Sequence, residues 1–195
     1  MSVLIVTAHP QTDSLTASIV DRLRDALPAD AVRIADLHAE GFDPRFTEAD
    51  RITYASGADF PPDVAAEQAR VDGATDVVLV FPVYWWSFPA LLKGWIDRVF
   101  VNGWAFDVDA DAGIRRNLGR LTLHMIPVAG DTEDVYDRHG YRVSFETQIA
   151  HGILDFCGMQ RGETAFVFDS EGEAEQRDRN VAAAIEAVTR AISPA

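Results

Sequence analysis

The fold is decided by one stretch: Asp76-Val-Val-Leu-Val-Phe-Pro-Val-Tyr-Trp-Trp-Ser-Phe-Pro-Ala-Leu-Leu-Lys-Gly-Trp-Ile-Asp-Arg-Val-Phe100. Its first part, Asp76–Pro82, is an almost unbroken apolar run. Such a run suits a strand buried on both faces of a parallel sheet. From Phe88 the period changes. Phe88, Leu91, Leu92, Trp95, Ile96, Val99 and Phe100 recur at helical spacing and make a wide apolar stripe. Lys93 and Asp97 stand four apart beside that stripe and predict a surface ion pair. The stretch is therefore one strand and one helix, joined by a loop that carries three consecutive aromatics.

The same alternation continues on both sides. Apolar, β-rich runs lie at Val3–Thr7, 31–37, 120–126 and 164–169. Between them Leu15, Ile19, Leu23 and Leu27 mark a helix with Asp13 or Ser14 as N-cap. Further helices are expected over 62–71 and from about Ser144, where Ile149, Ile153, Leu154 and Cys157 share a face. A last helix is expected after Ser170-Glu-Gly-Glu173, read as a capping box. Strands alternating with helices predict a doubly wound α/β sandwich: a five-stranded parallel sheet with helices on both faces, and 2-1-3-4-5 as the favoured strand order. Two stretches, 40–62 and 102–118, are expected to be irregular, and loops of that length are often functional or interfacial.

Composition narrows the function. The chain has 195 residues with 48% apolar, which suits a single domain over 1–195 with a sizeable core. Acidic residues number 31 against 17 basic, a formal charge of −14, and Lys93 is the one lysine. No dense basic patch interrupts this, so nucleic acid and anionic membrane faces are poor partners. The single cysteine, Cys157, sits on a helical apolar stripe and reads as an inert core thiol, compatible with a reducing cytoplasm. The first residues lack the basic and small-residue pattern of a signal peptide. The run 77–92 contains Pro82 and Pro89 and is shorter than the ~20 residues that span a bilayer, so no membrane insertion is expected.

In an open α/β sheet, ligands bind beyond the carboxyl ends of the strands. The first such loop reads His9-Pro-Gln-Thr-Asp-Ser-Leu-Thr16 and leads into a helix N-terminus, a place that favours a phosphate. The plainer reading is that Ser14 only caps the helix and His9 bonds a nearby backbone group. No glycine-rich dinucleotide turn, P-loop, nucleophile elbow or zinc-type histidine spacing occurs. The Tyr84-Trp85-Trp86 run cannot point wholly into one core, because successive side chains alternate on an extended segment. One ring at least faces solvent or a flat ligand; the alternative is packing on a helix or a second subunit. The loop from Pro127 carries Gly130, Tyr136 and His139, where the last two are proton-capable groups about one helical turn apart.

The stretch 76–100, with Leu4-Ile-Val-Thr-Ala-His-Pro10 and His151-Gly-Ile-Leu-Asp-Phe-Cys-Gly158, resembles the NAD(P)H:quinone oxidoreductase family, over most of 1–160. The resemblance implies a flavodoxin-like fold and a flavoenzyme. Hydride would pass from NAD(P)H through bound flavin to a quinone or similar electrophile in a ping-pong cycle. It implies FAD, with FMN as the other option. His9, Ser14, Leu15 and Thr16 would hold the flavin phosphates. Pro82, Val83, Tyr84, Trp85 and Trp86, with Pro127, Val128, Ala129 and Gly130, would line its ring system. Tyr136, with His139, would stabilise charge on the reduced flavin. Trp85, Trp104 and Phe106 would contact substrate, Phe106 from the partner of a homodimer. The chain departs from the family pattern at Pro127-Val128-Ala129, which stands where the family has Thr-Thr-Gly, and at Asp13 and Thr16. A second reading of the same resemblance is a regulatory flavin-binding subunit of an ion-transport protein. A third, a flavodoxin-type electron carrier, is disfavoured because the hydroxyl-rich phosphate loop of such carriers is absent from this sequence.

Overall fold

The computed structural model of the chain describes residues 1–109 and 113–193. Five strands form one all-parallel sheet: β1 (Val3–Thr7), β2 (Val32–Asp36), β3 (Asp76–Pro82), β6 (Thr122–Val128) and β7 (Gln160–Thr164), in the order β2-β1-β3-β6-β7. Counted within the sheet, that is the expected 2-1-3-4-5. Parallel pairing requires crossovers, which here are α1 (Leu15–Asp25), α3 (Pro62–Asp72), α4 (Ala90–Val99) and a helical run after β6. A final helix, α7 (Ala174–Ile192), packs back onto the sheet.

Side-chain alternation explains the continuous apolar runs. Leu4, Val6, Val77, Leu79 and Phe81 join the core under α4, with Leu92, Trp95 and Val99. Val3, Ile5, Val78 and Val80 join the opposite core with Ile19 and Leu23 of α1 and Val181 and Val188 of α7. Each central strand is thus buried on both faces. Cys157 is buried in the first core, and burial pushes its thiol up to about 11, so it is an inert packing residue. The expected pair forms: Lys93 Nζ lies 2.6 Å from Asp97.

Several expectations need correction. The stretch 40–62 contains a helix, α2 (Glu48–Ser56), started by a reciprocal capping box between Thr47 and Asp50. A buried cation fixes it in place. Arg98 of α4 bonds Asp50 at 3.1 Å, Asp63 at 2.6 Å and the Asp43 carbonyl at 2.9 Å. Burial opposes charge on Asp50, but hydrogen bonds from Arg98 and Thr47 overcome it and hold the carboxyl below its usual range. The stretch 102–118 contains two antiparallel paired strands, β4 (Phe106–Asp109) and β5 (Gly113–Arg116). The helical run after β6 begins earlier than Ser144, as α5 (Glu133–His139) and α6 (Tyr141–Phe145), and continues as a π-helical stretch, Glu146–Asp155. α7 starts at Ala174 without a side-chain cap, so Ser170 does not form the expected capping box.

The last strand also lies earlier than the apolar run 164–169. β7 is Gln160–Thr164, a polar sheet edge, and the ladder to β6 is bulged between Leu123 and Met125. The cause is His124, which is 1% exposed. Its Nδ1 accepts the Glu163 N–H at 3.0 Å, and its Nε2 lies 3.3 Å from Asp76. A side-chain nitrogen thus replaces a strand carbonyl as acceptor. Gly162 lies flat on the imidazole, where a Cβ would sit 2.5 Å from Nδ1. Pairing with β6 resumes past the bulge through the Ala165 and Val167 amides, which donate to Met125 and Pro127 carbonyls. Among the described residues, no helix is long and apolar enough to cross a membrane.

Candidate active site

The loops at the carboxyl ends of β1, β3, β6 and β7 converge on one rim. The loop after β3 is the most unusual. Tyr84 and Ser87 exchange backbone hydrogen bonds at 3.2 and 3.1 Å, closing a two-residue turn. Both central residues are left-handed, Trp85 at φ 49° and Trp86 at φ 57°. A turn of this kind favours Asn-Gly, because two positive φ values strain any side chain with a Cβ. Two indoles in those positions store strain at the mouth of the site. Trp85 is 87% exposed, and its ring meets Trp86 edge-on at 5.6 Å.

Trp86 is held differently. Its ring stacks on Tyr141 at 3.9 Å, and Tyr141 also lies near-parallel to His139 at 5.3 Å. Tyr136 is buried and meets Tyr141 edge-on at 5.9 Å. Burial, and secondarily the Asp131 carboxylate, push the Tyr136 phenol up to about 12. At neutral pH it is therefore a protonated hydrogen-bond donor. No hydrogen bond joins Tyr136 and His139 among the described residues; both rings meet Tyr141. The sequence reading missed Tyr141, whose signal was only its place one residue after Gly140.

At the first loop, Ser14 caps α1 by accepting the Ala17 N–H at 3.1 Å. The helix geometry leaves the Leu15 and Thr16 amides without intrahelical acceptors. His9 Nδ1 accepts the Gln11 N–H at 3.1 Å. The same nitrogen lies 3.2 Å from the Gln11 carbonyl, so this short loop holds the ring from its Nδ1 side. Thr16 is buried, so it offers its backbone more than its hydroxyl. Pro127 and Val128 lie within β6, and with Ala129 their side chains are buried, so Gly130 is the exposed residue of that set. The rim is laced together. Val83 N–H donates to Val128 O at 2.8 Å, Ala129 N–H to Val167 O at 2.8 Å, and Ser170 N–H to Ala129 O at 3.0 Å.

Trp104 and Phe106 lie elsewhere. Trp104 Nε1 donates to Asp72 at 3.3 Å, and Phe106 packs edge-on against Phe156 at 4.9 Å. Neither ring touches Trp85 or Trp86 among the described residues. Phe106 lines an apolar groove of about 710 Å³ that begins at Ser87 and Phe88 and runs between α2, α4 and the π-helical stretch.

The residues present fit a flavin. Among the described residues, the buried side-chain polar atoms without a hydrogen-bond partner are Thr7 Oγ1 and Arg177 Nε. Thr7 ends β1, and Arg177 lies in the first turns of α7, so both belong to the carboxyl end of the sheet. A hydroxyl, a guanidinium and a helix N-terminus at one end suit an anionic phosphate ester. Arg177 was not legible as a site residue, because one more arginine on an amphipathic helix reads as solvated surface.

Comparison with known proteins agrees. The flavodoxin-like fold family matches residues 1–192. Ribosyldihydronicotinamide dehydrogenase [quinone] of Pongo abelii is 32% identical, over 93% of this chain and 87% of its own length. The chain belongs to the NAD(P)H:quinone oxidoreductase family. NAD(P)H dehydrogenase [quinone] 1 of Rattus norvegicus is 30% identical over 85% of this chain and 68% of its own. The NAD(P)H:quinone oxidoreductase of Methanothermobacter marburgensis superposes with a TM-score of 0.87 at 24% identity, covering 100% of this chain and 98% of that one. Family membership gives the rim its context: the strained indoles, the protonated Tyr136 and the orphaned polar atoms all lie at the ligand end of a flavodoxin-like sheet.

Proposed function

We propose that the protein is a flavin-dependent NAD(P)H oxidoreductase that passes two electrons, as hydride, from NAD(P)H to a quinone or similar electrophile. The observation that carries this reading is the Trp85–Trp86 turn, where strained backbone exposes Trp85 and stacks Trp86 on Tyr141, the ring that also meets the buried, protonated Tyr136. The relatives' quinone-reductase names agree with it. The flavin, when bound, supplies hydride acceptance and donation.

The chain's own residues do the rest. The α1 N-terminus, His9, Thr7 and Arg177 bind the phosphate end. We read the cofactor as FAD, with FMN as the alternative, because the resemblance over most of 1–160 favours the FAD-binding members. Pro82, Val83, Tyr84, Trp85, Trp86 and Gly130 line the ring system and exclude water from one side. Tyr136, a phenol that stays protonated, would donate a hydrogen bond to negative charge on the ring system. His139 faces Tyr136 only across Tyr141, so it supports the aromatic stack in this reading. Net charge of −14 opposes binding of anionic cofactors, and local amides and cations overcome it.

Trp104 and Phe106 act in a homodimer, where the apolar groove beside Phe106 is covered by a second chain and Phe106 meets the partner's site. The protein works in the cytoplasm. The test is the visible spectrum of purified protein, before and after addition of FAD or FMN. A flavin spectrum bleached by NADPH and restored by a quinone is expected. Failure to take up either flavin overturns the reading.

A further inference from the structure

We propose that Tyr141 is a positioning residue: stacked on both His139 and Trp86, it holds the left-handed Trp85–Trp86 turn so that a planar acceptor can stack there. This rests on the functional reading above. The turn has little else to hold it. Its two backbone hydrogen bonds join Tyr84 and Ser87, and neither involves the strained residues. Among the described residues, the Ser87 side chain adds an exposed contact to Gln148 at 3.5 Å. Left-handed backbone at an indole persists only where the surroundings over-determine it.

The stack provides that determination. Tyr141 is inclined 23° to Trp86 and 20° to His139, so its ring is stacked on a flat group from each of two segments. Tyr141 is itself located by Tyr136, edge-on at 5.9 Å, and by the start of α6 behind left-handed Gly140. The loop after β3 is therefore keyed to the helices after β6 through one ring. Trp85, mostly exposed and edge-on to Trp86, takes its orientation from that key. Loss of the Tyr141 ring frees Trp86, and with it the flat surface offered to an acceptor.

The test compares Tyr141→Ala, Tyr141→Leu and Tyr141→Phe in flavin-loaded protein, with menadione as acceptor. One aromatic pair supports a roughly three- to ten-fold rise in menadione KM for the Ala and Leu variants, with kcat changed about two-fold at most. Tyr141→Phe keeps the wild-type KM, because the ring and not the hydroxyl does the positioning. In a Trp86→Ala background, Tyr141→Ala adds nothing further, since the two act through one contact. The near-ultraviolet ellipticity of the indoles falls in the Leu variant and is kept in the Phe variant. Tyr141→Leu also retains apolar bulk, which separates loss of the key from loss of the fold. An unchanged KM and near-ultraviolet spectrum in Tyr141→Leu, or additive effects with Trp86→Ala, overturns the proposal. If wild-type protein takes up no flavin, the functional reading fails, and the near-ultraviolet comparison alone then decides the role of Tyr141.

Discussion

The two ends of the sheet treat buried polar groups and backbone strain in opposite ways. Toward the amino end, His124 is enclosed and both ring nitrogens are partnered, one by Asp76 and one by the Glu163 amide. The ladder is bulged to serve it. At the carboxyl end, Thr7 Oγ1 and Arg177 Nε are buried without partners, and Trp85 and Trp86 sit in left-handed backbone. Satisfied polar groups rigidify a fold, whereas orphaned atoms and strain collect where a ligand acts. The same chain thus separates stability from function along its strands.

The largest expected effect tests the satisfied end. Gly162→Ala would place a Cβ 2.5 Å from His124 Nδ1 and should lower stability by roughly 3 kcal/mol in urea unfolding, with flavin uptake retained. Equal loss of flavin at unchanged stability would erase the distinction between the ends. Next, Tyr136→Phe removes a buried donor at the other end. A drop of about 2 kcal/mol in transition-state stabilisation, read as kcat/KM, is expected, with melting temperature nearly unchanged. A normal kcat/KM would remove Tyr136 from the chemistry.

The pH dependence sharpens the contrast further. Burial depresses His124 below 6.5, against the opposing influence of Asp76 and Glu163. Just below pH 6.5 the unfolded chain binds a proton that the folded chain refuses. Stability therefore falls as pH drops through that value, by about 1.4 kcal/mol per pH unit until the folded ring titrates. His124→Asn should flatten this slope in unfolding measured at several pH values. The smallest effect is expected at Trp85→Asn. Asn tolerates left-handed backbone, so stability should rise by about 0.5–1 kcal/mol while the KM for a planar acceptor increases. A destabilised variant would mean that the turn is not strained.

The sheet was largely legible in the sequence, because Val3–Thr7 and Asp76–Pro82 are buried on both faces and so are apolar throughout. β7 was misplaced for the opposite reason: Gln160–Thr164 is a polar edge, and its pairing depends on a histidine in the neighbouring strand. α2 was hidden because only Asp50 and Thr53 of its residues are buried, so it shows no apolar stripe. In the site, the aromatic run after β3 announced itself by composition. Its left-handed turn, the Tyr141 stack and the orphaned Arg177 depend on tertiary placement, which spacing does not encode.

Hydrogen exchange with and without FAD tests the central claim most directly. Added protection should be confined to the loops after β1, β3, β6 and β7, with none around Asp76, His124 and Gly162. Protection centred on that amino end, or none anywhere at saturating FAD, would contradict the account.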